Sequence, residues 1–142
     1  MLNAIIVGIS QKIYETFGEK YTIYSEDVEQ KLKTPSFLIV NLLNTNTKLL
    51  PPRYLRSYNF DVHYFPEDDR NARKEINEVS EKLKVALEYI NVIDNSVRGI
   101  KMTDEIVDDV LHFNVSYDLF VELEPESVNR MQTLTLEENI NG

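Results

Sequence analysis

The chain contains no cysteine, which excludes disulfides and cysteine-ligated zinc and fits a reducing compartment. Glycine is scarce, with four residues at positions 8, 18, 99 and 142. No glycine-rich phosphate-cradling loop can be built from them, so nucleotide-binding motifs are absent rather than weak. Basic residues are outnumbered: 15 Lys and Arg against 24 Asp and Glu leave a net charge of -9. Such a surface argues against tight, sequence-independent DNA binding, which requires Lys and Arg to neutralise phosphates. It remains compatible with DNA passing by without sticking. No apolar run approaches the roughly 20 residues that span a bilayer, so no membrane segment is expected. The opening stretch, MLNAIIVGISQKIYETFGEK, has its apolar residues at helical spacing and no side-chain charge before Lys12. It reads as a helix and not as a signal peptide. Internal repeats and low-complexity segments are also missing.

What is present is amphipathic patterning. A chain of 142 residues is one domain by size, and buries roughly 68–70% of its unfolded surface without staples. Leu2, Ile5, Ile6, Ile9, Ile13 and Phe17 recur at three and four, the core stripe of a first helix, and Gly18 stands where a stop belongs. Tyr21–Tyr24 is a short strand candidate, and the acidic Ser25–Thr34 a solvated loop or turn. Ser36–Leu43, SFLIVNLL, is apolar enough for a strand buried on both faces. Asn44–Lys48, NTNTK, is turn chemistry. In Arg53–Asp69, Tyr58, Phe60, Val62 and Tyr64 alternate with Asn59, Asp61 and His63, the period of a long strand with one buried face. Ala72, Ile76, Val79, Leu83, Ala86, Leu87 and Ile90 predict a second helix of about twenty residues, begun by Pro66-Glu67-Asp68-Asp69 and broken over Asn91–Asp94. Val97–Asp109 reads as a strand reaching a charged turn at Asp104, Glu105, Asp108 and Asp109. Val110–Leu123, alternating from Leu111 to Val121, completes a hairpin. The fold class is therefore α+β: one mixed or mainly antiparallel sheet of four to five strands covered by two helices. The domain occupies residues 1–124, and 125–142 form a polar C-terminal tail. That tail is either a frayed end or an arm that orders on a neighbour, with MQTLTL (131–136) able to add to a sheet edge.

Chemistry is hard to find. His63 and His112 both fall on the polar phase of long strands and approach one another if those strands are neighbours, with Asp61 or Asn114 nearby. Two histidines without a third ligand at fixed spacing carry little weight as a metal site, and histidines on a solvated or interface face are expected instead. The carboxylates are distributed as solvation, and the acidic turn lacks the ligand periodicity and glycine of a calcium loop. No serine sits in a nucleophile elbow; Ser57 and Ser116 lie in strands. No catalytic, cofactor or metal residue is assigned, and no enzyme is expected. Arg53 and Arg56, with Tyr54 and Tyr58, are of the types that interfaces prefer.

The segments YTIYSEDVEQKLKTPSFLIVNL, RYLRSYNFDVHYFP and NVSYDLFVEL carry a family likeness. Up to about Leu123, this sequence resembles small phage tail terminator proteins of prophages and tail-like particles of Gram-positive bacteria. The matching pieces, Glu26–Gln30 with Thr34–Phe37, the Arg53–Pro66 strand and Tyr117–Val121, are strand and turn sequences and not catalytic motifs. The resemblance implies a small α+β subunit forming a hexameric ring that caps the tail tube, stops its polymerisation and offers the head a docking surface. It further implies no cofactor, contacts with the tube protein and with sheath and head-neck proteins, and DNA passing through the lumen without specific binding. The location implied is the virion, and the host cytoplasm during assembly. By composition and position, the expected contact residues are Arg53, Tyr54 and Arg56; Glu26, Asp27 and Glu29 in the acidic loop; and Met131, Leu134 and Leu136 in the tail. Competing readings are a head-completion or head–tail connector protein, a metal-dependent hydrolase built on His63, His112 and the nearby acids, and a soluble regulatory module.

Overall fold

In a computed structural model described over residues 1–25, 32–123 and 134–137, the apolar stripe at the start of the chain folds as helix α1, Leu2–Phe17. Its Ile5, Ile9 and Ile13 are completely buried. Gly18 ends it at φ 91°, in the left-handed region that favours glycine, and its N–H donates to the Tyr14 carbonyl at 2.9 Å. Then follow β1 (Thr22–Tyr24), β2 (Ser36–Lys48), β3 (Arg53–Phe65), α2 (Ala72–Ala86), β4 (Tyr89–Val92), β5 (Asn95–Val107), β6 (Val110–Leu123) and β7 (Leu134–Glu137). The expected loop over 25–34 falls mostly outside the described residues.

The strands form one sheet in the order β1-β2-β3-β6-β5-β4. Among the described residues β1 and β2 are the one parallel pair, so the sheet is mixed. β3 occupies one edge of β6 from Leu111 to Glu122. The other edge pairs with β5 as far as Tyr117, and with β7 from Phe120 to Leu123. Both long central strands bury alternate residues, Tyr58–Tyr64 on β3 and Leu111–Val121 on β6, against the two helices. The class is α+β with two helices, as the patterning requires, and the described residues hold seven strands, two of them short additions to the four to five expected.

Three differences account for the extra strand length. The second helix ends at Ala86, and Ile90 belongs to β4, where Ile90 and Val92 are buried and Tyr89 and Asn91 exposed. Over so few residues, a period of two cannot be told from the tail of a helical stripe. Asn44–Lys48 is not a turn but the second half of β2, paired with Tyr54–Tyr58. One extra β2 residue is accommodated between Asn41 and Asn44. At this bulge the two asparagine side chains bond each other at 2.8 and 2.9 Å, and Asn59 Nδ2 donates to the Leu43 carbonyl at 2.7 Å. Side-chain amides thus take up backbone groups the bulge withdraws from the ladder. The expected burial on both faces holds for Ser36–Ile39, but from the bulge onward β2 is exposed, Leu42 and Leu43 included. Finally, Asp104 and Glu105 lie within β5, and only Asp108 and Asp109, at φ 52° and 58°, make the turn to β6.

The β4–β5 hairpin turns on Ile93 and Asp94, at φ 49° and 65°. Two positive φ values suit a two-residue hairpin, but a β-branched side chain is disfavoured there. Ile93 is also well exposed. Ile93→Asn is therefore expected to raise stability by about 1 kcal/mol, read as a higher urea midpoint with an unchanged slope.

Candidate functional site

Directly opposed residues of paired strands share a face, so the register of β3, β6 and β5 lays out the side of the sheet away from the helices. His63 faces His112, Asp61 faces Asn114, Asn59 faces Ser116, Ser57 faces Asp118 and Arg53 faces Glu122. On β5, Glu105 stands opposite His112 and Thr103 opposite Asn114. The result is a polar ladder from His63–His112 to Ser57–Asp118, separated from the Arg53–Glu122 pair by the apolar pair Leu55–Phe120. Ser116 donates its hydroxyl to Asn59 Oδ1, and Asn114 Nδ2 donates to Thr103 Oγ1 at 3.3 Å.

At one end of the ladder the two imidazoles converge on one carboxylate. His63 Nε2 lies 3.1 Å and His112 Nδ1 3.2 Å from the same atom, Asp61 Oδ2. The ring centroids are 4.2 Å apart. Side-chain exposures of 16% for Asp61, 20% for His63 and 28% for His112 place the cluster partly out of water. Burial by itself would push the Asp61 carboxyl upward. Hydrogen bonds from His63 and His112, with the charge of the imidazoles, outweigh it and hold the group below its ordinary value. Asp61 Oδ1 and Asn114 Oδ1 are buried with no hydrogen-bond partner among the described residues. The expected approach of the two histidines is therefore present, with Asp61 as the third donor that fixed spacing in the sequence does not reveal.

The other end holds the expected contact residues. Arg53, Tyr54 and Arg56 open β3, all half-buried. The Arg53 guanidinium lies 4.9 Å from the centre of the Phe120 ring, and Arg56 Nε donates to Asn46 Oδ1 at 3.0 Å. Tyr54 is opposite Val121, which is in turn opposite Leu136; Leu134 is opposite Leu123. Two of the three expected contact segments thus meet at one end of the β3–β6 pair. Glu26, Asp27, Glu29 and Met131 lie outside the described residues. Along the β2–β3 hairpin, Leu42, Leu43 and Leu50 expose 48%, 71% and 81% of their surface. These are the residues that hydrophobic patterning hides, because an apolar run reads as core.

On the helix side, a groove of about 260 Å³ runs between α2 and β5 past Arg73, Ser80 and Asp104. There the Ser80 hydroxyl donates to Asp104 Oδ2, and Lys84 Nζ lies 3.4 Å from the same oxygen. The Ser80 hydrogen bond, against a smaller effect of burial and with help from Lys84, keeps the Asp104 carboxyl below its ordinary value.

No helix among the described residues is long and apolar enough to cross a membrane. Compared with known proteins, the chain matches a family model described as phage tail terminator protein over residues 4–129. No curated protein sequence matches it.

Proposed function

The chain belongs to the phage tail terminator protein family, a family of virion structural proteins, and on that premise we propose that its subunits close into a hexameric ring capping the tail tube. The ring ends polymerisation of the tube and presents the head with its docking surface. Around a closed ring each subunit uses two different patches, one meeting the other on its neighbour. The β2–β3 hairpin supplies one of them: Leu43 at the bulge and Leu50 near the turn, with Arg53, Tyr54 and Arg56 at the start of β3, combine exposed apolar area with arginine and aromatic side chains. The function needs no cofactor. Partners are further copies of the chain, the tube protein, and sheath and head-neck proteins. The net charge of -9 suits a lumen along which DNA slides without specific binding. During assembly the subunits are in the host cytoplasm.

The family match over residues 4–129 carries this reading. Its test is deletion of the gene from the parent phage, followed by electron microscopy of the tails. Overlong, headless tails are expected, and complementation by the unaltered gene should restore length. A doubly substituted Leu43→Asp, Leu50→Asp protein should remain folded and fail to restore it. Tails of normal length beside detached, filled heads would move the protein to the head side of the neck, and intact particles would overturn the assignment.

A further inference from the structure

We propose that Asp61, His63 and His112 form a binding site for one transition-metal dication, zinc foremost, that ties β3 to β6 on the open face of the sheet. The donors come from two strands by simple geometry. Asp61 and His63 are two apart on β3 and so project from one face, and the register sets His112 opposite His63. The three donor atoms all lie within 4.8 Å of one another. Zinc holds imidazole nitrogen at about 2.0–2.1 Å and carboxylate oxygen at about 2.0–2.2 Å, so neighbouring donors around a tetrahedral ion stand roughly 3.3 Å apart. The separations of 3.1 and 3.2 Å from Asp61 Oδ2 to the two nitrogens are already close to that value. An ion therefore requires small side-chain rotations and no movement of a strand.

A second observation points the same way. Asp61 Oδ1 and Asn114 Oδ1, facing one another across the ladder, are buried acceptors with no partner among the described residues. Polar atoms in such positions are normally satisfied, and two unmatched acceptors beside a His–Asp–His group favour a cation. Two imidazoles and one carboxylate select zinc, cobalt, nickel or copper over magnesium and calcium, which prefer oxygen ligands. Glu105, opposite His112 on β5 and exposed, adds negative charge to this end of the sheet. The competing arrangement at the same distances is a carboxylate accepting two imidazole N–H bonds, which needs a proton on each of the nitrogens that a metal would take.

The two are separated by adding Zn²⁺ to chelator-stripped, full-length protein and following histidine ring nitrogens by NMR, with uptake measured against a chromophoric chelator. Expected are one ion per chain, micromolar or tighter affinity, a melting temperature raised by several degrees, and shifts confined to His63 Nε2 and His112 Nδ1. His112→Ala and Asp61→Asn should each weaken binding by more than about tenfold, a loss that removing even an outer-shell partner can cause. Co²⁺ in place of Zn²⁺ should give visible d–d absorption that both substitutions abolish. Absence of stoichiometric uptake, or unmoved His63 and His112 nitrogen resonances in the unaltered protein, would overturn the proposal even if the variants do not fold. The result is independent of the tail-length experiment, since a terminator without metal and a metal protein without terminator activity give opposite pairs of outcomes.

Discussion

Gly99→Ala is expected to destabilise the protein by about 3 kcal/mol and to lower its melting temperature by about 10 °C. The sign runs against local preference, since glycine within a strand ordinarily costs roughly 0.5–1 kcal/mol relative to alanine. At this position a Cβ would stand 2.4 Å from the Leu87 carbonyl oxygen and 2.9 Å from Val115 Cγ2. Neither neighbour can retreat cheaply. The Leu87 carbonyl accepts the buried Tyr117 hydroxyl at 2.7 Å, and Leu87 caps the end of α2. Gly99 itself donates its N–H to the Glu88 carbonyl at 2.7 Å, which fixes β5 against this turn. Overpacking alone costs about 1–3 kcal/mol, and displacing the Leu87 oxygen adds the loss of the hydrogen bond from Tyr117, about 1 kcal/mol. Urea unfolding followed by circular dichroism measures the effect. A midpoint equal to or above that of the unaltered protein would show that the α2–β4 connection yields to the methyl group.

Glu75→Ala is expected to cost about 2 kcal/mol. Glu75, in the first turn of α2, gathers three donors. Tyr64 gives it a hydroxyl hydrogen bond from β3, and the backbone N–H groups of Glu67 and Asp68 donate to its two carboxylate oxygens at 2.9 and 3.1 Å. Tyr64 is wholly buried. Burial, and then the hydrogen bond and negative charge of Glu75, push its phenol far above the usual range, so the hydroxyl remains a donor. Truncation leaves that hydroxyl and two loop amides without their acceptor. Glu75→Gln keeps a carbonyl acceptor but loses the charge, and should fall about midway. Tyr64→Phe combined with Glu75→Ala should cost less than the sum of the single changes, because the stranded hydroxyl is gone. Strict additivity in that cycle would remove the Tyr64–Glu75 bond from the account.

Much of this architecture is legible in the chain because one physical signal decides it. From Leu111 to Leu119 the side chains alternate apolar and polar, and the strand that carries them is Val110–Leu123. The stripe from Leu2 to Phe17 and the stop at Gly18 likewise set α1. Where two signals compete, the reading fails. Asn44–Lys48 has turn composition, yet pairing with Tyr54–Tyr58 and the asparagine bonds at the bulge draw it into β2. Ile90 fits a helical stripe and a buried strand position equally, and the turn at Leu87 decides between them. The site shows the same division. Periodicity places His63 and His112 on the polar phase, but not opposite one another, since a slip of one residue would reverse every side chain of a strand. Only the register of β3 on β6 brings both rings to Asp61. The exposure of Leu43 and Leu50 is hidden for a related reason, because composition records what is apolar and not how far a hairpin extends beyond its helices.

The β3–β6 ladder, where Tyr64 meets Leu111 and Arg53 meets Glu122, also sets the timetable of folding. Its partners are remote in sequence, so a long loop must close before any pair contributes, and sheets of this kind form in milliseconds to seconds. During synthesis β3 can pair with β2 as soon as both have emerged, but its other edge has to wait for β6. At roughly 5–20 residues per second that wait is on the order of several seconds. Through that interval the nascent sheet holds β1, β2 and β3 alone, and the inner edge of β3, with Phe60, Val62 and Tyr64 along it, stands open to any other strand that reaches it first.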